Sequence, residues 1–137
     1  MRQLTLLFIF AFISYIHALT DLSNGKSFDE LIALYSESIH KDPSTALKYA
    51  IRAKSIIEIS EKQKAETIYY ISKYYNKLQN NKDALTHVEL ALSKSMSLKY
   101  ELLLYKCFSL KGNIYNDLGQ NSNALVAYSK AMEYTQG

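Results

Sequence analysis

The sequence predicts an all-α protein, an α-solenoid of three antiparallel helix pairs, and three observations carry that prediction. Apolar residues recur at the three, four and seven residue spacing of a helix face through residues 27–137. A grid of small residues, Ala46, Ala50 and Ala53, returns as Ala84, Val88 and Ala91 and again as Ala124, Tyr128 and Ala131. The offsets are 38 residues (84 minus 46) and 40 (124 minus 84), a period in the range of stacked helical repeats. Finally, one Pro and four Gly in 137 residues are too few turn formers for an all-β design.

Each helix has its own justification. The first is expected from Ser27 to His40, with Phe28, Leu31, Ile32, Tyr35 and Ile39 on one face and Ser27 with Glu30 forming a capping box. The second opens on Asp42-Pro43, an N-cap followed by a Pro whose missing N–H costs nothing at the first helical position, and buries Ala46, Leu47, Ala50, Ala53 and Ile57. A third, near Lys64 to Leu78, turns Ala65, Ile68, Ile71, Ser72, Tyr75 and Leu78 inward, and Asn80-Asn81 ends it. The fourth, near Lys82 to Lys94, buries Ala84, Leu85, Val88, Ala91 and Leu92. A fifth runs from about Ser97 to Leu118 with Leu104, Cys107, Phe108, Gly112, Tyr115 and Leu118 inward, and Gly119 suits a left-handed residue after it. Asn121, Ser122 and Asn123 offer N-caps for the sixth, near Asn123 to Thr135.

The last pair carries the most specific motif, Phe108-x2-Lys111-Gly112-x2-Tyr115 followed by Ala124-x3-Tyr128-x2-Ala131. Gly112 costs about 1 kcal/mol in a helix interior relative to Ala, so it needs a packing reason; a close crossing of the paired helix, with Ala124 facing it, supplies one, and Ser72 holds the equivalent place upstream. Tyr128 and Ala131 are expected to fill the groove toward a following repeat. This pattern resembles the tetratricopeptide repeat (TPR) family over residues 27–137, with repeats of about 27–63, 64–97 and 98–137. The first repeat departs from it, with Leu34 where a small residue belongs and Glu37 where a Tyr belongs, and Gln136 stands in place of the family's Pro. Terminal repeats of such arrays are commonly atypical.

The resemblance implies a concave groove lined by the first helices of successive pairs, which takes an extended peptide or a partner helix. Its residues here are Glu66, Tyr69, Lys73, Asn76 and Lys77 from the middle repeat and Lys106, Ser109, Asn113, Asn116 and Asp117 from the last. Asn pairs with peptide amides and Lys with carboxylates. The clamp by which some family members hold a C-terminal carboxylate is not expected: Asn113 matches its Asn, but Ser109 stands in place of its Lys, and Tyr69 precedes Lys73.

Composition narrows the function further. The 16 basic residues against 13 acidic ones, net charge +3, are scattered without the basic stripe of a nucleic-acid binder. Twelve Tyr and no Trp suggest Tyr as an amphipathic packing residue. Cys107, the only cysteine, excludes an intrachain disulfide and reads as a small buried hydrophobe. The three histidines fall in the N-terminal segment (His17), at a helix end (His40) and on an outward face (His87), which offers no metal cluster. Phosphate-loop, His-Glu-x-x-His, Cys-x-x-Cys and Gly-x-Ser-x-Gly signatures are absent, so neither catalytic residues, cofactor nor metal are expected.

Residues 1–18 differ from the rest. Arg2 precedes an apolar run, Leu4 to Ile16, interrupted only by Thr5 and Ser14, and Ala18 offers a small residue for cleavage. This fits a secretory signal peptide; an uncleaved membrane anchor and a buried first helix are the alternatives. Residues 19–26 read as a polar leader with Asn24-Gly25 as a turn. The expectation is an exported, periplasmic or extracellular, non-catalytic protein- or peptide-binding module. A signal followed by such repeats looks like the extracytoplasmic front of bacterial membrane-bound sensor proteins. Because Leu125, Tyr128 and Met132 of the last helix lack a following cap, the alternative is a homo-oligomeric scaffold that associates through this end, or a polypeptide that continues.

Overall fold

The computed structural model describes residues 25–56 and 58–135. The expected signal peptide, its cleavage after Ala18, the inward Ile57 and the comparison at Gln136 all lie outside those residues. Among the described residues six helices follow one another: α1 (Phe28–Ser38), α2 (Pro43–Lys54), α3 (Glu61–Lys77), α4 (Asn81–Ser97), α5 (Glu101–Asp117) and α6 (Asn121–Glu133). The fold is all-α, and each helix packs most closely on its neighbours in sequence, with α5 also reaching back to α3. Among the described residues no helix is long and apolar enough to cross a membrane.

Local chemistry sets the helix starts. Ser27 closes a capping box with Glu30, each side chain bonding the other's backbone N–H. Ser60 does the same with Gln63, so α3 begins at Glu61, three residues before the expected Lys64. Asp42 caps α2 ahead of Pro43, and Asn80 caps α4 by accepting the Asp83 N–H. At α6 the expected Asn121, Ser122 and Asn123 caps are corrected. Gln120 holds the N-cap position without a side-chain bond to the backbone, the three residues form the first helical turn, and Asn123 donates to the Gln120 side chain instead.

The helix ends repeat one device. At the ends of α3, α4 and α5 the N–H groups of Asn80, Tyr100 and Gln120 reach back to the carbonyls of Tyr75, Ser95 and Tyr115, at 3.0, 2.9 and 2.8 Å. These are Schellman motifs, and each places the preceding residue in the left-handed region: Gln79 at φ +57, Lys99 at φ +49 and Gly119 at φ +70. Only the third is a glycine. The motif at Lys99 also ends α4 at Ser97 and delays α5 to Glu101, later than the expected Ser97.

The small-residue grids do lie inside. Ala46, Ala50, Ala53, Ala84, Val88, Ala91, Ala124 and Ala131 are all buried. Ser72 is also fully buried, and its hydroxyl donates to the Ala84 carbonyl at 2.7 Å, so this small residue ties α3 to α4 as well as admitting it. Gly112 faces Tyr128, whose ring lies where a Cβ would stand, and the Tyr128 hydroxyl donates to Asn113 at 2.7 Å. The ring therefore packs within its own helix pair, and the expectation that Tyr128 fills a groove toward a following repeat is corrected on that point.

Other inward assignments shift for geometric reasons. Leu78 and Leu118 follow the last turns of α3 and α5 as C-cap residues, and both are exposed. Four residues (39–42) separate α1 from α2, against three (78–80) between α3 and α4. Tyr35 is fully buried, as its place on the expected inward face of α1 implies, with its hydroxyl on the Tyr70 carbonyl at 2.7 Å, and Leu34 is half-buried. His87 is half-buried, not outward: its ring lies 5.0 Å from that of Tyr75, and Nδ1 is 2.8 Å from the Asp83 carbonyl.

Candidate protein-binding groove

Residues spaced three, seven and ten apart share one helical stripe, so Glu66, Tyr69, Lys73 and Asn76 line one side of α3, and Lys106, Ser109, Asn113 and Asn116 one side of α5. The stack brings several of them together. Asn76 donates to the Asp117 carboxylate at 3.0 Å across a sequence separation of 41, which ties α3 to α5 at one end of the groove. At the other end Glu66 accepts the hydroxyl proton of Tyr100 from the α4–α5 connection, and Lys62 lies over the Tyr100 ring at 4.9 Å. Burial first, and then this bond to Glu66, push the Tyr100 phenol up to about 12.

Between these ties sit two lysines. Lys73 is half-buried with its amine 5.9 Å from the centre of the Tyr69 ring, a cation–π distance. Burial holds its pKa below the ordinary lysine value, and the charge of Lys106 on α5 lowers it further. Tyr69 is half-buried against the main core, and burial raises its pKa before the neighbouring Cys107, Tyr70 and Tyr105 add to the effect. Among the described residues the ion pairs are Lys64 with Glu61 and Lys111 with Glu89, so neither Lys73 nor Lys106 has a carboxylate partner there.

The remaining expected residues are less engaged. Lys77 and Asn116 are exposed and Ser109 is half-buried, while Asn113 turns toward α6 to accept from Tyr128. The groove can thus offer cations, amides and one aromatic face to a partner. Cys107, buried behind it, has its thiol pushed up to about 12 by burial, which removes it as a nucleophile at neutral pH. No group of three His, Cys, Asp or Glu residues that could hold a metal occurs among the described residues.

Sequence reasoning missed Tyr100, because a residue between helices has no periodic signal that would set it beside Glu66. It also missed a cleft of about 390 Å³ on the side of α5 where Met96, Phe108, Lys111, Tyr115, Val126 and Lys130 meet. Phe108, Lys111 and Tyr115 stand at helical spacing in the repeat motif, which was the available signal. There Lys111 bonds Glu89 at 2.7 Å, so its charge is already matched. No protein-family model, no curated protein and no solved structure matches this chain, so the functional reading rests on its own residues.

Proposed function

We propose that this chain is a non-catalytic protein- or peptide-binding module of the tetratricopeptide type, whose partner lies along the stripe formed by α3 and α5. The observation that carries the reading is the pair Lys73 and Lys106. Two cations on neighbouring helices, one of them depressed in pKa by burial and by the other, lack a carboxylate partner among the described residues. An unmatched, partly desolvated charge is costly within a chain and becomes favourable when a partner matches it. The repeat pattern of the sequence and the stacked helix pairs support the same reading, since such stacks present extended surfaces.

The module is exported in this proposal, on the strength of Arg2, the apolar run from Leu4 to Ile16 and Ala18, and it serves as the sensory front of a signalling protein. A pull-down from the extracytoplasmic fraction with the purified protein tests the binding. One partner should be retained by the native chain and lost on charge reversal at Lys73 and Lys77, with the helical circular dichroism unchanged. Retention by the reversed variant would refute the groove. N-terminal sequencing should find the mature chain beginning near Leu19; an intact Met1 in a soluble cytoplasmic protein would refute export.

A further inference from the structure

The helix pair α3–α4 shows what happens to one of its faces when a further helix follows. Ala65, Leu85, Val88 and Leu92 pack in one cluster against Leu103, Leu104, Cys107 and Ile114 of α5. Adding the 40-residue offset gives Tyr105, Leu125, Tyr128 and Met132, the same face on α5–α6. There, no described helix covers Leu125 or Met132: Met132 is 61% exposed against 5% for Leu92, Leu125 is 67% exposed against a half-buried Leu85, and Tyr128, although it packs on Gly112, is 36% exposed against 0% for Val88. Leu102, 54% exposed, extends the face beside Tyr105.

We infer that this face is an interface between two copies of the chain, paired about a two-fold axis so that α5 and α6 of one copy cover α5 and α6 of the other. The size is sufficient. The five side chains expose roughly 500 Å², the upper range for the largest apolar patch of a monomer. Pairing two such faces removes about 1,000 Å² from water, the threshold for a specific association. The chemistry of the opposite end selects the symmetry: α1 exposes Asp29, Ser36 and Glu37 beside Glu30, whose carboxylate is held by the Ser27 N–H, and stacking the apolar side chains on it would desolvate the Asp29 and Glu37 carboxylates without offering them a partner. A head-to-tail array is thereby disfavoured, and a closed, isologous pair is left.

Single-cysteine cross-linking of the full chain tests this, because the one native thiol, Cys107, is buried and unreactive. With a short bismaleimide, Met132→Cys should cross-link to a covalent dimer and Glu37→Cys should not. A mixture of the two variants should give no product joining positions 37 and 132. Light scattering should report twice the chain mass for the native protein, and Leu125→Asp should weaken the pair by more than about tenfold in dissociation constant at unchanged helicity. A native protein that stays monomeric at high micromolar concentration overturns the inference. Products joining 37 to 132 overturn the two-fold arrangement in favour of a head-to-tail one. Since Lys73 and Lys77 both stand on α3 and neither is among the five side chains of this face, their reversal should leave the dimer intact.

Discussion

The middle and last helix pairs are built to one pattern 40 residues apart, yet they spend their side chains differently. In α3–α4 the small residue is Ser72, whose hydroxyl bonds the Ala84 carbonyl, and the face beyond is closed by α5. In α5–α6 the small residue is Gly112, which makes room for the Tyr128 ring, and the face beyond is open. The same sequence positions are therefore core in one pair and surface in the other. A repeat motif fixes how a pair closes on itself; whether its outer face is buried depends on what stands next to it.

The largest expected contrast follows from Leu92 and Met132, equivalent positions with opposite exposure. Leu92→Ala should cost about 2 to 5 kcal/mol by loss of transfer energy and a residual cavity. Met132→Ala should fall within about 0.5 kcal/mol, as surface changes do. Denaturant unfolding below the association threshold measures both. Equal costs would mean that α6 is covered within a single chain, contrary to the exposure of its outer face.

Next in size is Gly112. Replacement by Leu should destabilise by about 1 to 3 kcal/mol, because a branched side chain would be driven into the Tyr128 ring. Gly112→Ala should cost less, since Tyr128 is 36% exposed and can swing outward at the loss of its bond to Asn113. A melting temperature unmoved by Leu would remove Gly112 from the helix crossing. Ser72→Ala, at the equivalent place, keeps the packing and deletes one buried hydrogen bond, so a loss of about 0.5 to 1.5 kcal/mol is expected on thermal unfolding. A neutral result would show that the hydroxyl acts as a spacer alone.

The comparison also separates what was legible in the sequence from what was not. The six helices and the small-residue grids could be read because helical periodicity and close crossings leave local marks, such as Ala46, Ala84 and Ala124. The groove stripe on α3 and α5 was legible for the same reason. Its cross-helix ties were not: Asn76 with Asp117 and Glu66 with Tyr100 join residues 41 and 34 apart, and no local pattern specifies such pairs. The inward face of the first helix was legible too, since Phe28, Leu31, Tyr35 and Ile39 stand at helical spacing and all four are buried. The end of α4 was misplaced because its left-handed residue is Lys99, a type that gives no turn signal.

That last point yields the smallest and most direct contrast. Gln79 and Gly119 occupy the same left-handed position after α3 and α5, at φ +57 and +70, and close the same Schellman bonds. A residue with a Cβ loses roughly 1 to 2 kcal/mol in this region, while glycine gives back about 0.5 to 1 kcal/mol through the greater freedom of its unfolded chain. The net advantage of glycine is therefore about 0.5 to 1 kcal/mol. Gln79→Gly should raise stability by that amount and Gly119→Gln should lower it equally, because a Cβ at Gly119 would meet no heavy atom within 4 Å and conformation alone decides the sign. The Gln79 side-chain amide complicates the balance little, since it donates to the Asn76 carbonyl at 3.4 Å, a long and exposed bond. Urea unfolding of the two single variants and their double variant measures the effect. If Gln79→Gly destabilises, the side chain of Gln79 contributes more to that turn than its backbone strain takes away.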